Sequence, residues 1–175
     1  MLYKQMKQIT TLSLIFIAIT VWGQKITNPI EKFIVTGEIN KELSITIKDI
    51  QKFPAQDIQD VAITNHLGEP RGIAKQLKGV LVKDLLSGLS LKEKNPKLFS
   101  EFYFSFVAND QYKVVYSWNE IFNAQTGNNL FLITARDGVN INEMEDRLLI
   151  LTPSDFKTGR RHIKSLEKIV VKRVD

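Results

Sequence analysis

Every apolar stretch between Phe33 and Val174 is short: strand-like alternations last five to seven residues, and the helical patterns between them last about two turns. A parallel crossover takes a dozen or more residues, usually an α-helix, and helices this short cannot carry the chain back to a parallel neighbour. The class this leaves is mixed α+β, with largely antiparallel sheets and short helices. Phe33 to Thr36 reads as a strand turning at Gly37, and Leu43, Ile45 and Ile47 alternate with polar residues. Thr46 and Asp49 form a capping-box pattern for a helix that stops at Pro54, and Ser117 with Glu120 repeats it. Val61 and Ile63 share one strand face, and Leu67 to Pro70 reads as a turn. Leu81, Leu85 and Leu86 fall at helical spacing, and the lysine-rich stretch from Leu86 to Phe102 reads as a surface loop with one helical turn. Phe102, Phe104 and Phe106 alternate on a strand that turns at Asn109-Asp110 into the strand from Tyr112 to Tyr116. Asn129 to Ala135, Leu148 to Thr152 and Leu166 to Val174 complete the strands, with Ile169 and Val171 inward.

The start of the chain reads as an export signal. Lys4 and Lys7 precede an apolar run of 14 residues, Ile9 to Trp22, and Val21-Trp22-Gly23 suits cleavage before Gln24. The run is shorter than the ~20 residues a spanning helix needs, so no stable membrane insertion is expected once the signal is cut. Residues 1–23 are therefore assigned to the signal and 24–175 to a single domain. An exported location follows, periplasmic or extracellular.

Composition removes several chemistries. The 175 residues contain no cysteine and two histidines, His66 and His162, which excludes disulfides, thiolate metal sites, thiol nucleophiles and multi-imidazole centres. The formal charge is +5, and the positive charge concentrates between Lys157 and Arg173, where seven basic residues face one acid, Glu167. A nucleic-acid partner is not expected, because such binders carry a broader basic footprint with interleaved aromatics. The nucleophile elbow, the zinc-protease pair and both phosphate-binding glycine loops are absent, so no catalytic residue is assigned. Glu143, Glu145 and Asp146 lack ordered calcium-loop spacing and read as a solvated loop, and no metal ligand is assigned. Asn109, Asp110, Arg136 and Asp137 are read as turn residues, and Trp118, Tyr112 and Tyr116 as core or rim aromatics.

The order of four segments resembles the stand-alone sulfite-oxidase-type (oxidoreductase molybdopterin-binding) domain family. They are VTGEINKELSITIKDIQKFP (Val35 to Pro54), KGVLVKDLLS (Lys78 to Ser87), VANDQYKVVYSWNEIF (Val107 to Phe122) and RLLILTPSDFKTGRRHIKSLEKIVV (Arg147 to Val171). Gln111 stands where that family usually has glycine. The resemblance implies the family's molybdopterin-binding fold across the mature chain. In the family's enzymes a cysteine near the end of the third strand ligates molybdenum, a soft donor suited to that metal. Here the corresponding stretch reads Ala62 to Gly68 without a thiol. The resembling enzymes also cross the membrane folded behind a twin-arginine signal, whereas this signal carries lysines and no Arg-Arg pair.

These departures lead to an expected non-redox binding module without a bound cofactor, molybdopterin entering by resemblance alone. The resemblance places an anion pocket at the closing basic loop, with Gly159, Arg160, Arg161, His162 and Lys164 on one side. Asn65, His66 and Arg71 stand on the other side, in the segment that replaces the metal-binding stretch. Guanidinium forks suit phosphate or carboxylate, and glycine permits close backbone approach. The expected partner is a small anionic ligand or an envelope protein. The alternatives are a molybdopterin-dependent oxidoreductase with atypical ligation and a structural subunit of an envelope complex.

Overall fold

The computed structural model describes residues 30–175, so the expected signal segment and its cleavage site lie outside the described residues. The chain runs β1 (Lys32–Gly37), β2 (Leu43–Thr46), α1 (Ile47–Ile50), β3 (Gln56–Ile58), β4 (Val61–Thr64), β5 (Pro70–Ala74), β6 (Leu77–Leu81) and α2 (Val82–Leu85). It continues through β7 (Phe102–Ala108), β8 (Lys113–Ser117), α3 (Trp118–Phe122), β9 (Phe131–Arg136), β10 (Val139–Asn140), β11 (Leu149–Leu151) and β12 (Leu166–Arg173). Three 3₁₀ turns, Pro96–Glu101, Gln125–Asn128 and Thr158–Arg160, lie between these elements. This is the mixed, mainly antiparallel architecture expected from the short elements.

One sheet has the order β2-β1-β12-β7-β8. Its single parallel pair joins β1 to β12, with Val35 opposite Ile169. No crossover helix is required there, because the whole domain separates those two strands. Phe33, Val35, Phe104, Phe106, Ile169 and Val171 project from this sheet into the main core. The alternation of Phe102, Phe104 and Phe106 therefore marks a buried face, as their spacing predicts.

In the second sheet, β10-β9-β6-β3 with β11 also on β9, the inner strands β6, β9 and β11 carry buried residues on both faces, while the edges β10 and β3 are largely exposed. Val80, Leu132 and Ile150 face the main core. Leu77, Leu81, Phe131, Ile133, Leu149 and Leu151 face a smaller core, which the β4–β5 hairpin closes with Val61, Ile63 and Ala74. The structure corrects the helical reading of Leu81, which ends β6 before α2 starts at Val82. A strand covered on both sides has a continuous apolar run that periodicity does not separate from a helix. The turn read at Leu67 to Pro70 likewise runs into β5, with Pro70 as its first residue, a position proline tolerates.

Both capping boxes form. Thr46 accepts from the backbone of Asp49, and Ser117 from that of Glu120, with each carboxylate reaching back to the cap N–H. Gln111 adopts a φ of 71°, so a glutamine occupies a left-handed position at the β7–β8 turn. That conformation explains the glycine usual in the resembling family, since only glycine adopts it without a steric penalty.

Candidate functional site

The β4–β5 turn, the end of β9 and the segment 159–164 enclose a cleft of about 550 Å³. The hairpin contributes Asn65, His66 and Arg71, and the closing segment contributes Gly159, His162 and Lys164. Six residues from the two expected sides thus meet at one cavity. Arg136, read from the sequence as a turn residue, also lines it. The signal for Arg136 was weak because nothing in its local sequence shows that the end of β9 approaches the closing segment.

Two of the six residues build the walls and have little left to offer a ligand. Asn65 Oδ1 accepts from the backbone N–H of Leu67 and of Glu69, both at 2.9 Å, and its amide donates to Glu69 Oε2 at 2.6 Å. This is an Asx-type turn that consumes the side chain. Gly159 lies against the end of β4, where an added Cβ would sit 2.1 Å from the carbonyl oxygen of Thr64. The contact is anchored by Thr158, whose buried hydroxyl donates to the Ala62 carbonyl and accepts from the Thr64 N–H, both at 3.0 Å. Thr158 carried no sequence signal, because its role depends on a strand edge 94 residues away.

The charged side chains arrive from three separate segments. Arg136 Nε lies 3.0 Å from Asp137, Lys164 Nζ lies 2.6 Å from Asp146, and Arg71 is exposed at the rim. His162 is held down to about 4 from the ordinary 6.5, first by burial and then by Lys164 and Arg136. Its Nε2 is buried without a hydrogen-bond partner. The imidazole is therefore neutral at neutral pH, and the cleft's positive charge comes from the two guanidinium groups and the ammonium.

The low pKa of His162 has a measurable consequence. The unfolded chain takes up a proton near pH 6.5 while the folded one does not, so stability is full above pH 6.5. It falls as pH drops from 6.5 toward about 4, by on the order of 3 kcal/mol, and this contribution then levels off. Urea denaturation across that window is expected to show the loss in the native protein and a flatter profile in His162→Gln. Equal profiles would show that the imidazole protonates freely.

Arg160 and Arg161 do not join the cleft, which corrects their expected placement. Arg160 is exposed, and its carbonyl accepts from the Tyr112 hydroxyl at 2.6 Å. Arg161 turns to the opposite side and grips Asp155 with both Nε, at 2.8 Å, and Nη2. Its Nη1 reaches Glu120 Oε1 at 2.9 Å, and the guanidinium stacks 4.6 Å above the Tyr116 ring. The basic run thus divides at Arg161, with Arg161 held by Asp155 and Glu120 and the following His162 and Lys164 lining the cleft.

A separate groove of about 600 Å³ beside α2 and α3 is walled by Phe99, Trp118 and Phe122. Its charged rim is balanced, Lys83 and Lys94 against Asp84 and Glu93, and it offers no net attraction to an anion. Trp118 is a rim aromatic there, packed 5.5 Å from Phe99 and 5.4 Å from Phe122.

The residues present do not fit a molybdenum centre anchored by a thiolate. The chain has no thiol, the Asn65 amide is committed to its turn, and the His162 Nε2 is buried. The backbone space beside Gly159, which a phosphate cradle would need open, is filled by Thr64 and Asn65. What the cleft retains is positive charge. Among the described residues no group of three or more metal-binding side chains occurs.

No family model matches the chain, and no curated protein matches it. Among solved structures the chain is similar to the sulfane dehydrogenase SoxCD from Paracoccus pantotrophus, with a TM-score of 0.60 and 14% sequence identity. The match covers 86% of this chain and 40% of that one, so the chain spans less than half the length of the protein it resembles. At this identity the likeness concerns architecture alone: the chain has a distant sulfite-oxidase-like fold.

Proposed function

We propose that this protein is an exported, non-redox binding module that holds a small anionic ligand in the cleft between the β4–β5 hairpin and the 159–164 segment. The observation that carries the reading is the meeting of Arg71, Arg136 and Lys164, from three distant parts of the chain, around one cavity of about 550 Å³. Guanidinium groups bind oxyanions through paired, charge-assisted hydrogen bonds, and a concave wall limits competition from water. The cavity exceeds the size of inorganic phosphate, which leaves room for an organic phosphate or carboxylate. Ile63 and Ile73 supply apolar wall for the organic part.

The test is calorimetric titration of the mature chain from Gln24 with inorganic phosphate, a pterin phosphate and citrate. At least one organic anion is expected to bind saturably, and Arg136→Ala to weaken it by about tenfold or more. Absence of saturable binding by all three would overturn the reading. Molybdenum at one per chain in protein isolated from its native host would overturn the non-redox part.

A further inference from the structure

Strands at the edge of a sheet expose unpaired backbone groups, and natural edges are blunted by shortness, proline or a distortion. Most edges of this protein follow that rule. β10 has two residues and β3 three, β2 runs straight into α1, and β5 carries Pro70 and Gly72, the latter at a φ of 141°. β8 differs. It is an edge of the first sheet, pairs with β7 alone, and keeps five residues in regular register without proline, glycine or a bulge.

The register fixes which backbone groups of β8 are free. The Ala108 N–H donates to the Tyr112 carbonyl at 2.9 Å, which makes Phe106–Val114 and Phe104–Tyr116 the hydrogen-bonded pairs farther along the ladder. The N–H and C=O groups of Lys113, Val115 and Ser117 therefore point away from β7. Glu120 takes the Ser117 N–H at 2.8 Å, whereas the outward groups of Lys113 and Val115 meet no partner among the described residues. The side chains of these two residues lie on the outer face of the sheet, where Val115 is 54% exposed.

The side-chain pattern selects a second copy of the same strand as the occupant of this edge. Across the outer face, Thr36, Val170, Ser105 and Val115 form an uncharged row, while the adjacent rows carry Lys168 with Lys113 on one side and Lys172 on the other. A two-fold axis at Val115 continues the uncharged row into itself, valine against valine. The same axis sets each Lys113 opposite a Ser117, so no like charges face each other. Each Val115 N–H then meets the other copy's Val115 carbonyl, and each Lys113 N–H a Ser117 carbonyl. We propose that β8 pairs antiparallel with β8 of a second copy, joining two five-stranded sheets into one. Five residues a side bury less than the ~1,200 Å² of a stable interface, so the dimer is weak and concentration-dependent, with a Kd on the order of 0.1–1 mM. The pairing residues lie outside the cleft, which makes this inference independent of the anion-binding reading.

The experiment is sedimentation equilibrium of the mature chain from Gln24 up to about 1 mM, with amide NMR spectra over the same range. The weight-average mass is expected to rise above the monomer value, and the Lys113 and Val115 amide resonances to shift in step with it. Val115→Lys sets two ammonium groups against each other across the axis and is expected to weaken association by about fivefold or more. An equimolar mixture of Val115→Lys and Val115→Glu is expected to regain what was lost, because the mixed pair opposes unlike charges. Both substitutions fall on a half-exposed side chain, and circular dichroism checks that each variant keeps the native fold. A mass that stays at the monomer value at the highest concentration overturns the proposal. Association that leaves the two amide resonances unmoved, or that Val115→Lys does not weaken, puts the contact elsewhere and overturns it as well. A mixture that associates no better than Val115→Lys alone overturns the two-fold register.

Discussion

Gly159→Ala is expected to destabilise the protein by about 2–3 kcal/mol and to weaken anion binding at the same time. The reason is space, since the added Cβ would lie 2.1 Å from the Thr64 carbonyl oxygen and 2.7 Å from the Asn65 carbonyl carbon. Both obstacles are backbone atoms. The strand that carries them is held by pairing with β5 and by Val61 and Ile63 in the smaller core, so it cannot retreat cheaply. The closing segment must move instead, and the Thr158 hydroxyl then leaves the Ala62 carbonyl and the Thr64 N–H. His162 and Lys164, which follow on the same segment, lose their position opposite the hairpin. Urea midpoints and calorimetric titrations with the organic anion that the native protein binds measure the two effects. Gly88→Ala serves as the control, because nothing lies within 4 Å of its Cβ position. A Gly159→Ala protein as stable as the Gly88→Ala control would mean that the segment does not sit on β4 as described.

Gly159 also shows what was readable in the sequence and what was not. The resemblance places glycine beside a bound phosphate, whereas here it permits contact between two parts of the protein's own backbone. A glycine signals that a close approach occurs and leaves the approaching group unnamed. Local features were legible where their cause was local: the Thr46 and Ser117 caps, the hairpin turn after Ala108 and the alternation along β7 depend on residues a few positions apart. The end of β6 was misread because burial on both faces removes the alternation that identifies a strand. The cleft was half legible. Its two sides follow from chain order in the resembling fold, but the direction of each basic side chain depends on distant acids. Asp146 sits beside Lys164, and Asp155 and Glu120 draw Arg161 to the far side.

That division between Arg161 and the cleft cations yields the second large effect. Arg161→Ala is expected to cost about 2–3 kcal/mol of stability while leaving organic-anion affinity unchanged in the folded protein. The guanidinium side chain is 23% exposed and that of Asp155 only 14%, so removing the cation leaves a carboxylate in a largely dry position. Its loss also uncovers the Tyr116 ring, whose buried hydroxyl pairs with Thr152 at 2.9 Å, and frees the Glu120 arm from α3. Pairing Arg161→Ala with Asp155→Asn removes the stranded charge, and the double variant is expected to recover about 1 kcal/mol relative to the sum of the single changes. Arg136→Ala should behave in the opposite sense, with stability nearly unchanged and affinity reduced, because its guanidinium meets a surface partner, Asp137, whose side chain is 48% exposed. If Arg161→Ala abolished anion binding at a concentration of urea where it remains folded, the clasp would belong to the binding site. The separation of the basic run into a structural half and a ligand-facing half would then be wrong.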